Sequence, residues 1–138
     1  MNTPNLRFKG FIDSWKKCKI GDFFEHLATG STPSRLKPEY FNGDIPWISS
    51  GELKSHYVSS TKEYITIEAI KKTNLKIHPA GTLFIAITGL EAKGTRSSAA
   101  INTVPMTTNQ SCLAFPLNKY IVLDFLYHWY KKMVNKLG

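Results

Sequence analysis

The stretch "PAGTLFIAIT", Pro79 to Thr88, sets the fold class of this chain. Pro79, Ala80 and Gly81 form a turn signal, and the residues from Thr82 onward are a nearly continuous run of apolar and β-branched side chains. A short run of this kind, bounded by turn residues, is typical of a strand buried on both faces of a sheet. We therefore predict a buried strand over Thr82–Thr88.

Other segments also have the composition of strands. "DIPWISS", Asp44–Ser50, is apolar and β-prone, and it predicts a strand that ends near Gly51, with Trp47 in the core. Small, polar and β-branched residues alternate later in the chain. They predict a loop and two more strands, around Ser98–Ile101 and Ser111–Phe115.

Two helices are predicted among these strands. Thr66 suits the N-cap of a helix over "TIEAIKKTNL", and we place Ile67, Ile70 and Leu75 on its inner side. The C-terminal segment predicts an amphipathic helix, with Asp124 in its first turn and lysines near its end, as the helix dipole favours. Its stripe consists of Ile121, Phe125, Trp129, Met133 and Leu137, widened by Val122 and Leu126, and its lysines are Lys131, Lys132 and Lys136. The predicted class is mixed α/β: one domain with a twisted mixed β-sheet, short helices and a C-terminal amphipathic helix.

The front of the chain is less regular. Residues 1–10 mix Pro, Gly and Asn without a period and predict a flexible arm. A short helix is predicted to begin at Asp22 and to end at Gly30. "TPSRLKPEYFNG", Thr32–Gly43, has two prolines and an Asn-Gly pair and predicts a long irregular loop. The stretch "TGSTPSR", Thr29–Arg35, thus joins a helix exit to a loop, and it could be a phosphate loop, a nucleic-acid contact or only a turn.

The charge of the chain points to a polyanionic partner. Its 138 residues carry 18 Lys and Arg against 10 Asp and Glu, a formal net charge of +8 with a pI near 9.5. Nucleic acid is the most frequent partner of such an excess, because each neutralised phosphate releases condensed counterion. Most of the cations are lysines, however, and lysines often form only a solvated face. The charge alone leaves both interpretations open.

Several function classes lack their sequence signals. No apolar tract is long enough to span a membrane, and the N-terminus lacks the apolar region of a secretory signal, so we expect a cytoplasmic protein without membrane contact. Cys18 and Cys112 have no CxxC spacing and are expected to be reduced apolar residues. The four scattered histidines predict no metal site. Because the phosphate-loop, dinucleotide and G-x-S-x-G motifs are all missing, we expect binding rather than catalysis.

Polar clusters on the predicted loops are candidates for contacts with nucleic acid. Each cluster combines polar groups that neutralise or hydrogen-bond phosphate oxygens. Arg35 and Arg96 could also grip guanine, and Asn109 or Gln110 could pair with adenine, although an amide pair that ties loop backbones together is an equally open interpretation. The candidate set is Thr29, Ser31, Thr32, Ser34, Arg35, Lys37, Ser49, Ser50, Lys54, Lys93, Thr95, Arg96, Asn109 and Gln110.

The motifs together resemble the target recognition domain of the specificity subunit of type I restriction-modification systems. They follow one another over nearly the whole chain: "NLRFKGFIDSWKKCKIGDF", "TGSTPSR", "YFNGDIPWISSGEL", "PAGTLFIAITG", "KGTRSSAAI", "TTNQSC" and the "FLYHWY" helix. Each motif alone is a weak signal, but their order and spacing together are specific. By this resemblance "TGSTPSR" is a family hallmark rather than a generic turn.

The resemblance implies a non-catalytic module that reads one half of a split site in double-stranded DNA and binds no cofactor itself. In that family a specificity subunit carries two such domains separated by long helices. Methyltransferase subunits that use S-adenosylmethionine dock on it, and an ATP-dependent nuclease and translocase subunit joins for restriction. This chain stops where the family continues into the spacer helix. We therefore expect residues 1–138 to be the first recognition domain alone, truncated before that helix.

Two other interpretations stay open. The aromatic C-terminal helix could be the dimerisation face of a protein-interaction module. Ser, His and Asp side chains could also assemble in space into the site of a small hydrolase, since such a triad leaves no fixed spacing in a sequence.

Overall fold

The computed structural model describes residues 27–87, 98–116 and 123–137, and the side chains of the last helix as far as Lys132. Within these ranges the strands are β1 (Ala28–Thr29), β2 (Ile45–Ile48), β3 (Tyr57–Val58), β4 (Glu63–Ile65), β5 (Leu83–Ala86), β6 (Ala99–Asn102), β7 (Thr107–Thr108) and β8 (Cys112–Phe115). The α-helices are α1 (Ile67–Thr73) and α2 (Leu123–Leu137), and two short 3-10 helices cover Pro38–Phe41 and Ser50–Glu52. The predicted mixed α/β class is confirmed.

A five-stranded sheet, in the order β1-β8-β5-β6-β3, contains the predicted buried strand. That strand, β5, lies in the middle and pairs antiparallel with both β8 and β6. Leu83 contributes to a core beneath α2, whereas Phe84 and Ala86 contribute to a core shared with the second sheet. Both faces of β5 are thus covered, which requires apolar side chains at successive positions and explains why the sequence pattern identified it.

A three-stranded sheet, in the order β4-β2-β7, forms the next layer. In it β2 pairs antiparallel with β4 and parallel with β7. Ile48 packs with Phe84 between the two sheets, while Trp47, buried as predicted, packs with Tyr40 and Ile70 in a core beside α1. The domain is therefore built in four layers, with α2 outside one sheet and α1 outside the other.

Helix α1 has the predicted start but a different packing face. Thr66 Oγ1 accepts a hydrogen bond from the Ala69 backbone N–H at 3.1 Å, which confirms Thr66 as the N-cap. Ile70 is buried and Leu75 is partly buried, as predicted. Ile67, however, is 51% exposed, so its placement on the inner side is wrong. The buried face is centred on Ala69 and Ile70, and Ile67 in the first turn lies beyond its edge.

Helix α2 packs its aromatic side on the five-stranded sheet, but around a different line of residues from the predicted one. Leu123, Leu126 and Tyr127 are buried in the core beneath the helix, whereas Phe125 and Trp129 are only partly buried. A strict four-residue repeat drifts around a helix of 3.6 residues per turn, so the buried line follows spacings of three and four instead. The other predicted members of the stripe lie outside the described side chains: Ile121, Val122, Met133 and Leu137.

Two boundaries differ from the prediction. Residues 28 and 29 form β1, which pairs with β8, so the assignment of Gly30 as the end of a helix is wrong. Strand β2 ends at Ile48, earlier than predicted, because the chain enters the 3-10 helix at Ser50. The predicted irregular loop before β2 also contains a 3-10 helix that buries Tyr40. At Gly30 the local conformation depends on strand pairing with a distant part of the chain.

Some predictions concern residues that the structure does not describe. The arm over residues 1–10, the helix start at Asp22 and the state of Cys18 lie outside the described residues. Cys112 is buried, and burial raises the pKa of its thiol to about 12, which fits the predicted apolar role. No helix in the described ranges is long and apolar enough to cross a membrane.

Buried His78 makes the stability of the domain depend on pH. Its backbone N–H donates to the Met106 carbonyl at 2.7 Å, and its ring packs edge-on against Phe84. Burial, with a smaller contribution from the charge of Lys76, lowers the pKa of His78 from 6.5 to about 4. Between these two pH values the unfolded chain binds a proton that the folded domain does not bind. Stability therefore falls as the pH is lowered through this window.

We predict that His78→Gln flattens this dependence. The free energy of unfolding of the unchanged protein should fall more steeply than that of the variant between pH 6.5 and 4. The difference should reach at most about 1.4 kcal/mol per pH unit, the limit for one proton. Urea denaturation at a series of pH values measures both slopes, and identical slopes would contradict the role of His78.

Candidate nucleic-acid interface

Four strands of the five-stranded sheet begin or end at the same end of the sheet, which we call the loop end. These strands are β1, β5, β6 and β8. The registers place Thr29 opposite Leu113 and Ala86 opposite Cys112, so β1 and β5 end where β8 begins. Strand β6, antiparallel to β5, also begins there. The segments that leave β1 and enter β8 are therefore brought together at the ends of β5 and β6. These segments contain most of the candidate residues.

The second sheet contributes to the same region. Strand β2 runs parallel to β7, and β7 leads through a turn at residues 109–111 into β8. The backbone N–H of Asn109 donates to the Ile48 carbonyl at 3.0 Å, which binds this turn to the end of β2. The candidates that follow β2, including Ser49, thus lie beside those of the 109–111 turn.

The backbone at Gly30 passes very close to its neighbour. The N–H groups of Gly30 and Ser31 donate to the carbonyls of Asn109 and Thr108 at 3.1 and 3.2 Å. A Cβ atom on Gly30 would lie 1.8 Å from the Thr108 carbonyl oxygen, closer than real atoms approach. Glycine is therefore required here by the close approach of two chains rather than by the end of a helix.

Side-chain bonds fix the loop that follows Gly30. The indole N–H of Trp47 donates to the Ser31 carbonyl at 3.0 Å. Thr32 Oγ1 donates to Gln110 Oε1 at 2.8 Å, and both of these residues are exposed. Asn109 Oδ1 instead accepts the backbone N–H two residues further on, at 3.0 Å. The two adjacent amide side chains thus have different roles. Asn109 stabilises its own turn, and Gln110 lies at the surface beside Thr32.

Arg35 forms a bidentate ion pair at this end of the domain. Its Nη1 and Nη2 atoms donate to Glu63 Oε2 and Oε1 at 2.9 Å each. The guanidinium also lies 4.5 Å from the ring centroid of Phe41 and 5.6 Å from that of Trp47. The hydrogen-bonded pairing raises the pKa of Arg35 and lowers the pKa of Glu63. Because both terminal nitrogens are engaged by Glu63, Arg35 holds the first loop against β4.

Ser49 belongs to a capped turn. Its backbone N–H and its hydroxyl both donate to Glu52 Oε2, at 3.0 and 2.8 Å. Glu52 Oε1 accepts the backbone N–H of Lys62 at 2.8 Å. The carboxylate therefore joins the 3-10 helix that begins at Ser50 to the segment before β4. Ser49 and Ser50 are half-buried parts of this turn.

The other candidates are spread over the same loops. Ser34 Oγ accepts the backbone N–H of Leu36 at 3.2 Å, within the first loop. Thr29, Lys37 and Lys54 are exposed. Three candidates lie outside the described residues: Lys93, Thr95 and Arg96. The described part of the chain holds no group of three or more His, Cys, Asp or Glu side chains suited to a metal ion.

Two carboxylates of this region are missing from the sequence-based candidates. Because carboxylates repel phosphate, a search for residues that contact phosphate does not select Glu52 or Glu63. Both residues nevertheless hold the loops in place. The Ser49-x-x-Glu52 spacing is the signature of a capping box and could have identified Glu52. No local signal pairs Glu63 with Arg35, which is 28 positions away.

The fold and the loop end define a class of protein: a scaffold of two sheets that presents polar loops at one edge. Comparison with known proteins gives the family. The family model described as "Type I restriction modification DNA specificity domain" matches residues 12–138. The chain belongs to this family, which confirms the resemblance of its motifs.

Two curated relatives are specificity subunits of type I restriction enzymes. The subunit of enzyme MjaIX from Methanocaldococcus jannaschii is 36% identical over 120 residues, which are 85% of this chain and 26% of the relative. The subunit of EcoR124I/EcoR124II from Escherichia coli is 34% identical over 125 residues, which are 89% of this chain and 30% of the relative. The chain thus spans less than a third of either relative.

The close approach at Gly30 leads to a stability prediction. Gly30→Ala should destabilise the domain by about 1–3 kcal/mol, the usual cost of overpacking, because the new methyl group must displace the Thr108 carbonyl. Gly51→Ala is a matched control, since no atom lies within 4 Å of the Cβ position there. Urea unfolding of both variants measures the difference. Equal stabilities would show that the loop can move away without loss.

Proposed function

We propose that this chain is the sequence-specific DNA-binding module of a type I restriction-modification specificity subunit. It reads one half of a bipartite site in double-stranded DNA and directs the methyltransferase and nuclease subunits to that site. The observation that carries the proposal is the convergence of polar loops from both sheets at the loop end of a domain of this family. The module needs no catalytic group of its own, because its partners supply the chemistry.

Thr32 and Gln110 are the residues best placed to contact bases. Their mutual hydrogen bond orients the Gln110 amide through Oε1 and uses neither hydrogen of Nε2. A glutamine amide can donate to N7 and accept from N6 of adenine in the major groove, and the bond with Thr32 favours one orientation of this amide. The proposed DNA-binding set also retains the other candidates: Thr29, Ser31, Ser34, Arg35, Lys37, Ser49, Ser50, Lys54, Lys93, Thr95, Arg96 and Asn109.

Affinity for the phosphate backbone is the second part of the proposal. The formal charge of +8 supports it, because cations that neutralise phosphates gain free energy from released counterions.

In the context of a whole subunit, residues 1–138 act as one recognition domain. The relatives are more than three times longer than their matched segments, which leaves room for a second domain and for separating helices. Action on DNA places the module in the cytoplasm.

Dimerisation through the aromatic C-terminal helix is not favoured. Leu126 and Tyr127 are buried against the five-stranded sheet, and Phe125, Trp129 and Tyr130 are partly buried in the same core. The aromatic face of α2 therefore stabilises the domain itself, as far as its side chains are described.

Gln110→Ala tests the reading role. Duplexes are first selected from a random pool with the unchanged 138-residue chain at low salt, which identifies the preferred sequence. The variant should then lose discrimination at one base pair by about 1–3 kcal/mol, with the salt dependence of binding unchanged, because an amide contacts a base and not a phosphate. Fluorescence anisotropy with matched and singly substituted duplexes measures the change.

A distant exposed substitution serves as the control for this experiment. Glu68→Gln lies in the first turn of α1, outside the second sheet, and should leave both sequence preference and affinity close to those of the unchanged chain. Random selection that yields no preferred sequence from correctly folded protein would overturn the proposed function. A preference that Gln110→Ala leaves intact would overturn only the role of Gln110.

The ion pair of Arg35 leads to a separate prediction. If Arg35 acts by holding the loop through Glu63, then Arg35→Ala and Glu63→Ala should weaken DNA binding by similar factors, and the double variant should lose no more than either single variant. The slope of log affinity against log salt should stay the same in Arg35→Ala. A slope reduced by about one would instead show that Arg35 neutralises a phosphate.

A further inference from the structure

Leu36 is the most exposed large apolar side chain in the part of the chain that the structure describes. It is 93% exposed, whereas Ile67, the next most exposed, is 51% exposed. A leucine side chain that stays in water adds nothing to the hydrophobic stabilisation of the fold, but its burial against a partner is favourable. The place of Leu36 in the fold therefore determines which partner it can contact.

Leu36 lies at the tip of a β-turn over residues 34–37. The Lys37 backbone N–H donates to the Ser34 carbonyl at 3.3 Å, and the Leu36 backbone N–H donates to Ser34 Oγ at 3.2 Å. Arg35, the other central residue of the turn, is held by its bidentate ion pair. Because these bonds fix the backbone on both sides of Leu36, its apolar side chain is presented to solvent by an ordered turn.

The ion pair also anchors this turn at the loop end. Glu63 of β4 lies opposite Trp47 of β2, and β2 ends at the next residue, where it is bonded to the 109–111 turn. The two hydrogen bonds from Arg35 to Glu63 therefore bring the turn to this end of the domain. Leu36, next to Arg35, is exposed there.

The same loop carries Thr32, the partner of Gln110. Only four residues lead from Thr32 to Leu36, so their Cα atoms are at most about 14 Å apart. This distance is the rise of about four base pairs along a duplex. A single half-site can therefore extend past both Gln110 and Leu36.

The surroundings of Leu36 favour a small apolar group on a nucleic acid over a protein surface. Within residues 28–56, all of which the structure describes, no other large apolar side chain is exposed, and the neighbouring Ser34 and Lys37 are polar and exposed. A stable protein interface buries about 800 Å² on each partner, far more than one leucine supplies. The base edges in the major groove present one apolar group, the C5-methyl of thymine. A single methyl group matches a single isolated leucine side chain.

We propose that Leu36 contacts the methyl group of a thymine in the major groove. This contact rests on the proposed function, because it needs a duplex at the loop end. Gln110 and Leu36 read two positions of one half-site by different means, one through hydrogen bonds of an amide and the other through an apolar contact. The sequence-based candidates do not include Leu36, because a search for polar groups does not select leucine.

Replacement of thymine by uracil tests this contact, since it removes the C5-methyl group and keeps the base pairing. Each thymine of the duplex selected with the unchanged 138-residue chain is replaced in turn. At one position the replacement should weaken binding about fourfold, the usual effect of burying one methyl group less. Leu36→Ala should weaken binding to the original duplex by a similar factor and should make the chain insensitive to replacement at that position. Fluorescence anisotropy at a fixed salt concentration measures these affinities.

Ile67→Ala is the matched control for Leu36→Ala. Ile67 is also an exposed apolar residue, but it lies beyond the other end of β4, away from Glu63 and the loop end, so its replacement should leave the sensitivity to uracil unchanged. Leu36→Met keeps an apolar side chain of similar size and should retain most of that sensitivity. In Leu36→Ala, the stability in urea and the slope of log affinity against log salt should both stay the same, because no buried contact and no charge is removed.

Two results would overturn the thymine contact and leave sequence reading intact. One is a preferred duplex in which no uracil replacement weakens binding, and the other is a sensitive position that stays equally sensitive in Leu36→Ala. A chain that sediments as a dimer without DNA, and as a monomer in Leu36→Ala, would also overturn the contact by assigning Leu36 to a second copy of the chain. Failure of the correctly folded chain to select any preferred duplex would overturn the contact together with the proposed function.

Discussion

The backbone pairing of Gly30 and Ser31 with Thr108 and Asn109 is the contact on which the loop end depends. Two main-chain hydrogen bonds carry the chain beyond β1, which belongs to one sheet, onto the end of β7, which belongs to the other. These bonds satisfy polar groups that would otherwise be costly to bury between sheets. They form only because glycine allows the two chains to come into contact, and the bond from Trp47 to the Ser31 carbonyl follows from the position this gives the loop.

The polar residues of the loops divide into those that build the surface and those that it displays. The carboxylates of Glu52 and Glu63 bind Ser49 and Arg35, so these two candidates also hold the loops in place. An exposed ion pair adds little to stability, so its effect lies mainly in the geometry it imposes. Because these bonds hold the loops in one conformation, less conformational entropy is lost when a partner binds.

Local patterns predicted most elements of the fold. The continuous apolar run of β5 and the cap at Thr66 were correct because burial on two faces and capping both depend on residues close in sequence. The prediction failed at Gly30. Its local sequence resembles a helix end, but its role depends on contact with Thr108 and Asn109, nearly eighty positions away in the sequence. The ion pair of Arg35 could not be predicted, because Glu63 lies 28 positions away in the sequence.

The sequence by itself determined the class of the fold, the family and the positive charge, because strand periodicity, ordered motifs and composition are all local properties. Only the tertiary structure decided that the loops lie together at one end of a sheet, that Asn109 and Gln110 differ in role, and that Arg35 pairs with Glu63. The reason is physical. Strand pairing and helix packing bring together residues that are far apart in the chain, and whether a side chain binds its own protein or remains available to a partner depends on those long-range neighbours.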